Sequence, residues 1–160
     1  TLIEAFRHIA PKTSAQLVIA GPTGWGLTAQ DLLRPLDQSI RNRVSIVGEV
    51  ERQDLAALYT QSSVFCYPSL LEGFGLPVLE AMSYGAPVVT SKGTSTEEVA
   101  GNAAITINPQ SPIEIGEALE FLLTDRSAAR EISLRGLELI KCFTWAKAAA
   151  NTVDVYKRLL

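Results

Sequence analysis

Two glutamates, Glu72 and Glu80, stand with seven residues between them inside the run LLEGFGLPVLEAMSYGAPVV. Glu72 directly precedes Gly73-Phe74-Gly75, where small residues let a ligand come close to the backbone. Pro77 suits the first turn of a helix, and Gly85 followed by Pro87 suits its end. The helix so bounded, expected over residues 76–84, is apolar at Val78, Leu79, Ala81 and Met82, and Glu80 interrupts it. A carboxylate on a helix flanked by buried strands is costly unless something hydrogen-bonds it. First-turn amides at the start of such a helix favour an anion such as phosphate. The plain alternatives are a solvent-facing Glu80, a surface Glu72 and glycines that only shape a turn. An acid before a glycine bend and a second acid on an apolar helix favour a ligand site over all three.

The elements around this run must position it. Short apolar runs predict strands over residues 16–20, 44–47, 64–67, 87–90 and 104–107. Helices are expected over 1–10, 28–40, 52–61, 76–84, 96–100, 112–123, 126–140 and 145–159. Strands alternating with helices predict a doubly wound, Rossmann-like parallel sheet covered on both faces. Ligands of such sheets bind beyond the carboxyl ends of the strands, here the loops 21–27, 48–51, 68–75 and 91–94. Ser95 with Glu98, and Ser111 with Glu114 behind Pro112, have the spacing of capping boxes. The last helix sets Trp145, Ala149, Val153, Tyr156 and Leu160 on one stripe, which should dock on the body of the domain. The chain opens on a helix, where a doubly wound fold calls for a strand, so a first strand and its loop are expected to precede Thr1.

Composition narrows the chemistry. The 160 residues fit one domain, and a net charge of −3 with no long run of Lys or Arg leaves nucleic-acid and membrane-surface binding unsupported. No apolar stretch reaches transmembrane length and no leader pattern opens the sequence, so a cytoplasmic protein is expected. Cys66, in a strand expected to be buried, and Cys142 read as reduced packing thiols. With one histidine, His8 in the opening helix, and no cysteine pair, no metal-site spacing is present. The glycine-rich stretch 21–26 lacks the lysine of a phosphate loop and the GxGxxG spacing, and reads as a surface loop carrying Trp25. Ser91, Lys92 and Thr94 fall near the expected site edge, with Lys92 as a solvated loop lysine.

The pattern E-G-F-G-L-P-x-x-E-A-M-x-x-G-x-P-V-V resembles the signature of the group 1 glycosyltransferases (glycosyltransferase family 4, GT-B fold). LVIAGP at 17–22, VSIVGEV at 44–50, DLAALY at 54–59, EEVAGNAAI at 97–105 and FTW at 143–145 follow in the family's order. The resemblance implies a retaining enzyme with a nucleotide-sugar donor and no metal requirement. It assigns Glu80 to the ribose hydroxyls and Glu72, the catalytic candidate, to the transferred sugar near its anomeric carbon. The amides around Gly73, Phe74, Gly75 and Leu76 would contact sugar and phosphates, and the backbone from Gly48 to Val50 would read the base edge. Details resemble mannosyltransferase-like members, with GDP-mannose as donor, more than synthase-like members using UDP-hexoses. The implied partner is an N-terminal acceptor-binding domain; the loop after the first strand would carry a basic pair for the diphosphate. A chain without them is expected to turn over little. Glu97 stands where the family often has proline. The rival readings are a sugar-nucleotide-binding module without catalysis, half of a dinucleotide oxidoreductase, which would need a GxGxxG turn, and a GT-B epimerase or phosphorylase. The two acids are not the acid and nucleophile of a glycoside hydrolase, because Glu80 falls to the ribose.

Overall fold

Each of the five apolar runs becomes a strand: β1 Leu17–Ala20, β2 Val44–Gly48, β3 Phe65–Tyr67, β4 Val88–Ser91 and β5 Ile105–Ile107. Nine α-helices separate and follow them in the computed structural model, which describes residues 1–22 and 28–159. They are α1 Leu2–Ile9, α2 Ala29–Leu33, α3 Gln38–Arg41, α4 Arg52–Gln61, α5 Leu76–Ser83, α6 Ser95–Ala100, α7 Pro112–Thr124, α8 Arg126–Leu139 and α9 Trp145–Leu159. Most of the glycine-rich loop, including Trp25, and Leu160 of the last stripe lie outside the described residues.

Every strand pairing is parallel. β1 runs beside β2 with Leu17 opposite Val44 and Ile19 opposite Ile46. β4 runs between β3 and β5, with Phe65 opposite Val88 and Val89 opposite Ile105. Among the described residues the two groups share no ladder, so the expected single sheet is divided into a pair and a triplet.

β4 shows why the triplet is the centre. All four of its residues are buried, and alternate side chains enter opposite cores. Val89 joins Phe6 and Ile9 of α1 and Ile115 and Leu119 of α7 on one face. Val88 joins Tyr59 of α4 and Val78, Ala81 and Met82 of α5 on the other. Glycines let the covering helices come close: a Cβ on Gly116 of α7 would meet Ile9 at 3.4 Å, and one on Gly136 of α8 would meet Met82 at 3.0 Å. The β1–β2 pair is covered on one face only. Leu17 and Ile19 pack against the α1 core, whereas Val18 and Val47 are 44% and 46% exposed. Arg43, just before β2, ties this pair to α1. Its guanidinium donates to the carbonyls of Ala10, Thr13 and Ala15 and lies 5.6 Å from the Phe6 ring centre.

The helices depart from expectation at several points. The helix expected over 28–40 is broken into α2 and α3, because Pro35 removes a backbone donor and its ring clashes with the preceding turn. Ser95 forms no capping box: Thr94 precedes the helix, and the Ser95 hydroxyl donates instead to the Glu72 carbonyl. At Ser111 half a box forms. Its oxygen accepts from the Glu114 amide, but the Glu114 carboxylate turns to the Asn108 amide and Lys92. A full box occurs where none was read, between Thr28 and Asp31. Finally, α9 does not dock: every residue from Trp145 to Leu159 is exposed, and no other described element covers its stripe. Cys142 is exposed, and Cys66 is half-buried, with desolvation pushing its thiol up to about 12. Among the described residues no helix is long and apolar enough to cross a membrane, and no group of three or more His, Cys, Asp or Glu could hold a metal ion.

Candidate functional site

The bend between the two acids is fixed at Gly75. It precedes α5 with φ +100°, and a Cβ there would sit 2.8 Å from Cγ2 of Thr96, so both backbone and packing demand glycine. Gly73 is different: it is exposed, has no positive φ, and faces open space. No side chain caps α5, which leaves its first-turn amides without a side-chain acceptor.

Glu72 is held at both ends. Its Oε1 accepts from the Tyr67 hydroxyl at 2.6 Å and lies 3.0 Å from Ser69 Oγ, while its backbone oxygen accepts from Ser95 at 2.9 Å. Ser69 Oγ is also 3.1 Å from the Leu71 carbonyl, so its one proton is shared and Tyr67 is the steady donor. Burial first, then the hydrogen bond and charge of Glu72, push the Tyr67 phenol up to about 12, so it keeps its proton at neutral pH.

Glu80 is held more loosely. The expected burial of this carboxylate is corrected: Val78, Ala81 and Met82 form the inner face of α5, and Glu80 falls outside it, exposed. Its single side-chain partner among the described residues is the hydroxyl of buried Tyr59, which donates to Oε2 at 3.3 Å. Burial, with the Glu80 charge added, likewise pushes the Tyr59 phenol upward.

A run of aromatic rings joins the two acids. Tyr84 stacks on Tyr59 with centroids 5.8 Å apart, Tyr59 meets Phe65 edge-on at 5.2 Å, and Phe65 stacks on Tyr67 at 6.0 Å. Within this run the segment from Tyr59 through Phe65 to Tyr67 starts at the Glu80 partner and ends at the Glu72 partner, with Tyr84 beyond Tyr59. None of these four rings was singled out from the sequence. A signal was there: Phe65 and Tyr67 sit two apart on a strand and so share a face.

The remaining candidates spread from this centre. Phe74 and Leu76 are 45% and 53% exposed. Phe74 meets Phe143 edge-on at 6.2 Å, tying the glycine bend to the segment before α9. Gly48, the last residue of β2, has φ +70° and open space around it, and half-buried Val50 follows it in the turn toward α4. Val47 of β2 and Val50, with Asp54, Ala57, Leu58 and Gln61 of α4, line a shallow groove of about 300 Å³ that neither Glu72 nor Glu80 lines. Lys92 is engaged with Glu114 at 3.1 Å, and Glu97 holds the Gly93 amide at 2.7 Å. The structure thus sets Glu72, Gly73, Phe74, Gly75 and Leu76 on one bend leading into α5, links Glu72 to Glu80 through Tyr67, Phe65 and Tyr59, and leaves Gly48 and Val50 on a separate turn. Chemically, the centre offers two carboxylates, each with one oxygen engaged by a phenol, and a helix start free to meet an anion.

Comparisons with known proteins bear on the family and the fold. O-antigen chain mannosyltransferase B of Escherichia coli is 36% identical over 162 aligned positions, covering 99% of this chain and 42% of that protein. The MMP alpha-(1->4)-mannosyltransferase of Mycolicibacterium hassiacum is 36% identical over 112 positions, covering 68% of this chain and 27% of that protein. The chain thus spans less than half the length of either relative. Among solved structures, Anabaena HepE in complex with UDP and glucose superposes with a TM-score of 0.79 at 20% identity, over 99% of this chain and 44% of that one. A glycosyltransferase from Rickettsia africae gives 0.84 at 16% identity, over 98% and 43%. At such identities the likeness shows the fold, the Rossmann-like half of a GT-B architecture. The family described as glycosyl transferases group 1 matches residues 1–138, and the chain belongs to that family.

Proposed function

We propose that this chain is the donor-binding half of a retaining glycosyltransferase that moves a hexose from a nucleotide sugar to an acceptor. The observation that carries the reading is the pair Glu72 and Glu80, set at the two ends of one aromatic stack around the Gly75 bend. Breaking the bond between the anomeric carbon and the diphosphate builds negative charge on the diphosphate and positive character on the sugar. Stabilising both is the main catalytic task. The uncapped amides at the start of α5 suit the diphosphate. Glu72, the proposed catalytic residue, offers its second oxygen to the sugar. Glu80 is exposed and accepts ribose hydroxyls. The Gly48–Val50 backbone reads the base edge.

Mannosyltransferase relatives support a mannose donor such as GDP-mannose, and the UDP-and-glucose complex of a structural neighbour supports a UDP-hexose. The chain accounts for less than half of its relatives' length, so we assign the acceptor site to a preceding N-terminal domain. The divided sheet supports a missing strand as well. In doubly wound sheets the usual strand order places the first strand between the second and the fourth. A strand leading into α1 would therefore lie between β1 and β3, where the two groups share no ladder. Cysteines Cys66 and Cys142 suit a cytoplasmic location, where thiols stay reduced.

Calorimetric titration of UDP and GDP tests the reading, run on the polypeptide with its upstream domain. Glu80→Ala should weaken nucleotide binding by about 1–3 kcal/mol, as for loss of charge-assisted hydrogen bonds. Equal affinities in wild type and variant would refute the ribose role. Tight donor binding with no sugar transfer to any acceptor would instead leave a binding module.

A further inference from the structure

The hydrogen bonds on Glu72 come from Tyr67 and Ser69, to which the assignment above gives no role of their own. Glu72 lies on an irregular segment after β3, where nothing in the backbone fixes a side-chain rotamer. Its carboxylate is nevertheless pinned through one oxygen by Tyr67 at 2.6 Å and Ser69 at 3.0 Å. Tyr67 ends β3, a rigid element, and its ring is seated on Phe65 at 6.0 Å. Phe65 is in turn fixed by the edge of Tyr59, the residue whose hydroxyl reaches Glu80.

We propose that Tyr67 is the positioning residue of Glu72, assisted by Ser69, and that the Tyr59–Phe65–Tyr67 stack sets where Glu72 stands relative to Glu80. The inference rests on the assignment of Glu72 to the transferred sugar. With Oε1 facing both the phenol and the Ser69 hydroxyl, Oε2 is the oxygen without a side-chain donor among the described residues, so the carboxylate presents that oxygen in one direction. A pinned oxygen of this kind matters most where geometry is most demanding, at the reacting carbon, because a displacement of about 1 Å can cost on the order of a hundredfold in rate. The raised proton affinity of this half-buried phenol keeps the donor in place at neutral pH. The Glu80 contact at 3.3 Å, on an exposed carboxylate, is the weaker end of the same frame.

The test uses the polypeptide with its upstream domain. Tyr67→Phe keeps the ring and its packing while removing the hydroxyl. Its kcat should fall by about 10- to 100-fold, with the donor KM and the Kd of the free nucleoside diphosphate unchanged, because the lost contact acts on the sugar end. Ser69→Ala should give a smaller loss of the same kind. In a Glu72→Gln background, where no carboxylate is left to aim, Tyr67→Phe should add nothing. A Tyr67→Phe enzyme with wild-type kcat overturns the proposal. So does a loss that recurs undiminished in the Glu72→Gln background, since the hydroxyl would then act elsewhere. If Glu72→Gln itself leaves kcat unchanged, the sugar assignment fails instead. Positioning is then decided by a crystal structure of Tyr67→Phe. There the Glu72 carboxylate should leave its place, and an unmoved carboxylate sinks the proposal.

Discussion

The β3–β4–β5 half and the β1–β2 half of this domain are finished to different degrees. The triplet has helices on both faces and a central strand without exposure. The pair has one covered face and one bare one, with Val18 and Val47 open to solvent. The proposed sugar and ribose ligands belong to the finished half, on the bend and helix that follow β3. The loop proposed to read the base belongs to the other. A site that must hold reacting atoms to fractions of an ångström benefits from rigid, fully packed elements beneath it. A base read through backbone atoms tolerates a looser support.

The largest expected effect tests how firmly the first half is built. Met82 is fully buried in α5, against Gly136 of α8. Met82→Ala should cost about 2–5 kcal/mol, as for other large-to-small core changes. Chemical denaturation followed by circular dichroism measures it; a loss below 1 kcal/mol would mean that the finished half is less tightly packed than its burial suggests.

Next in size is the bend. Gly75→Ala forces an alanine to φ +100° and brings its Cβ to 2.8 Å from Thr96. The strain alone is worth about 1–3 kcal/mol. Gly73→Ala, two residues away, meets open space at an unstrained backbone and should change stability by no more than ~0.5 kcal/mol. The pair of variants separates a glycine required by geometry from one that only leaves room. If Gly73→Ala nonetheless weakens nucleotide-sugar binding in calorimetry, the room it leaves is where ligand lies.

These contrasts show what the sequence could and could not reveal. Strand positions were legible because the apolar runs are short, rich in β-branched or aromatic residues and bounded on at least one side by a nearby glycine or proline, and the helix start at Leu76 was legible from Gly75 and Pro77 beside it. Two further features are also present in the sequence: Pro35 splits a helix over 28–40, and the 3.6-residue period alone puts Glu80 off the face of Val78, Ala81 and Met82. The rest depends on tertiary contacts between distant residues. No local pattern says that Tyr59 of α4 meets Phe65 of β3, that Ser95 spends its hydroxyl on Glu72 rather than on its own helix, or that β1 and β3 share no ladder. The stripe on α9 was read correctly as amphipathic, but periodicity cannot say what a stripe packs against.

The smallest effect is the one that decides whether the second half is truly unfinished. Val18 and Val47 fall on the opposite side of the strands from Leu17, Ile19 and Val44, so they face away from the α1 core. In this 160-residue chain Val18→Thr and Val47→Thr should each shift stability by at most ~0.5 kcal/mol, the usual range for exposed positions away from special features. In the longer polypeptide, a strand between β1 and β3 would carry neighbours across that face, and a hydroxyl buried there without a partner costs about 1–3 kcal/mol. The informative quantity is therefore the difference between the two backgrounds, read from denaturation midpoints at equal slope. A penalty that appears only in the longer polypeptide places a cover over the bare face. Equal and negligible penalties in both leave the face open to water, and the contrast between the two halves would then be a lasting property of the domain.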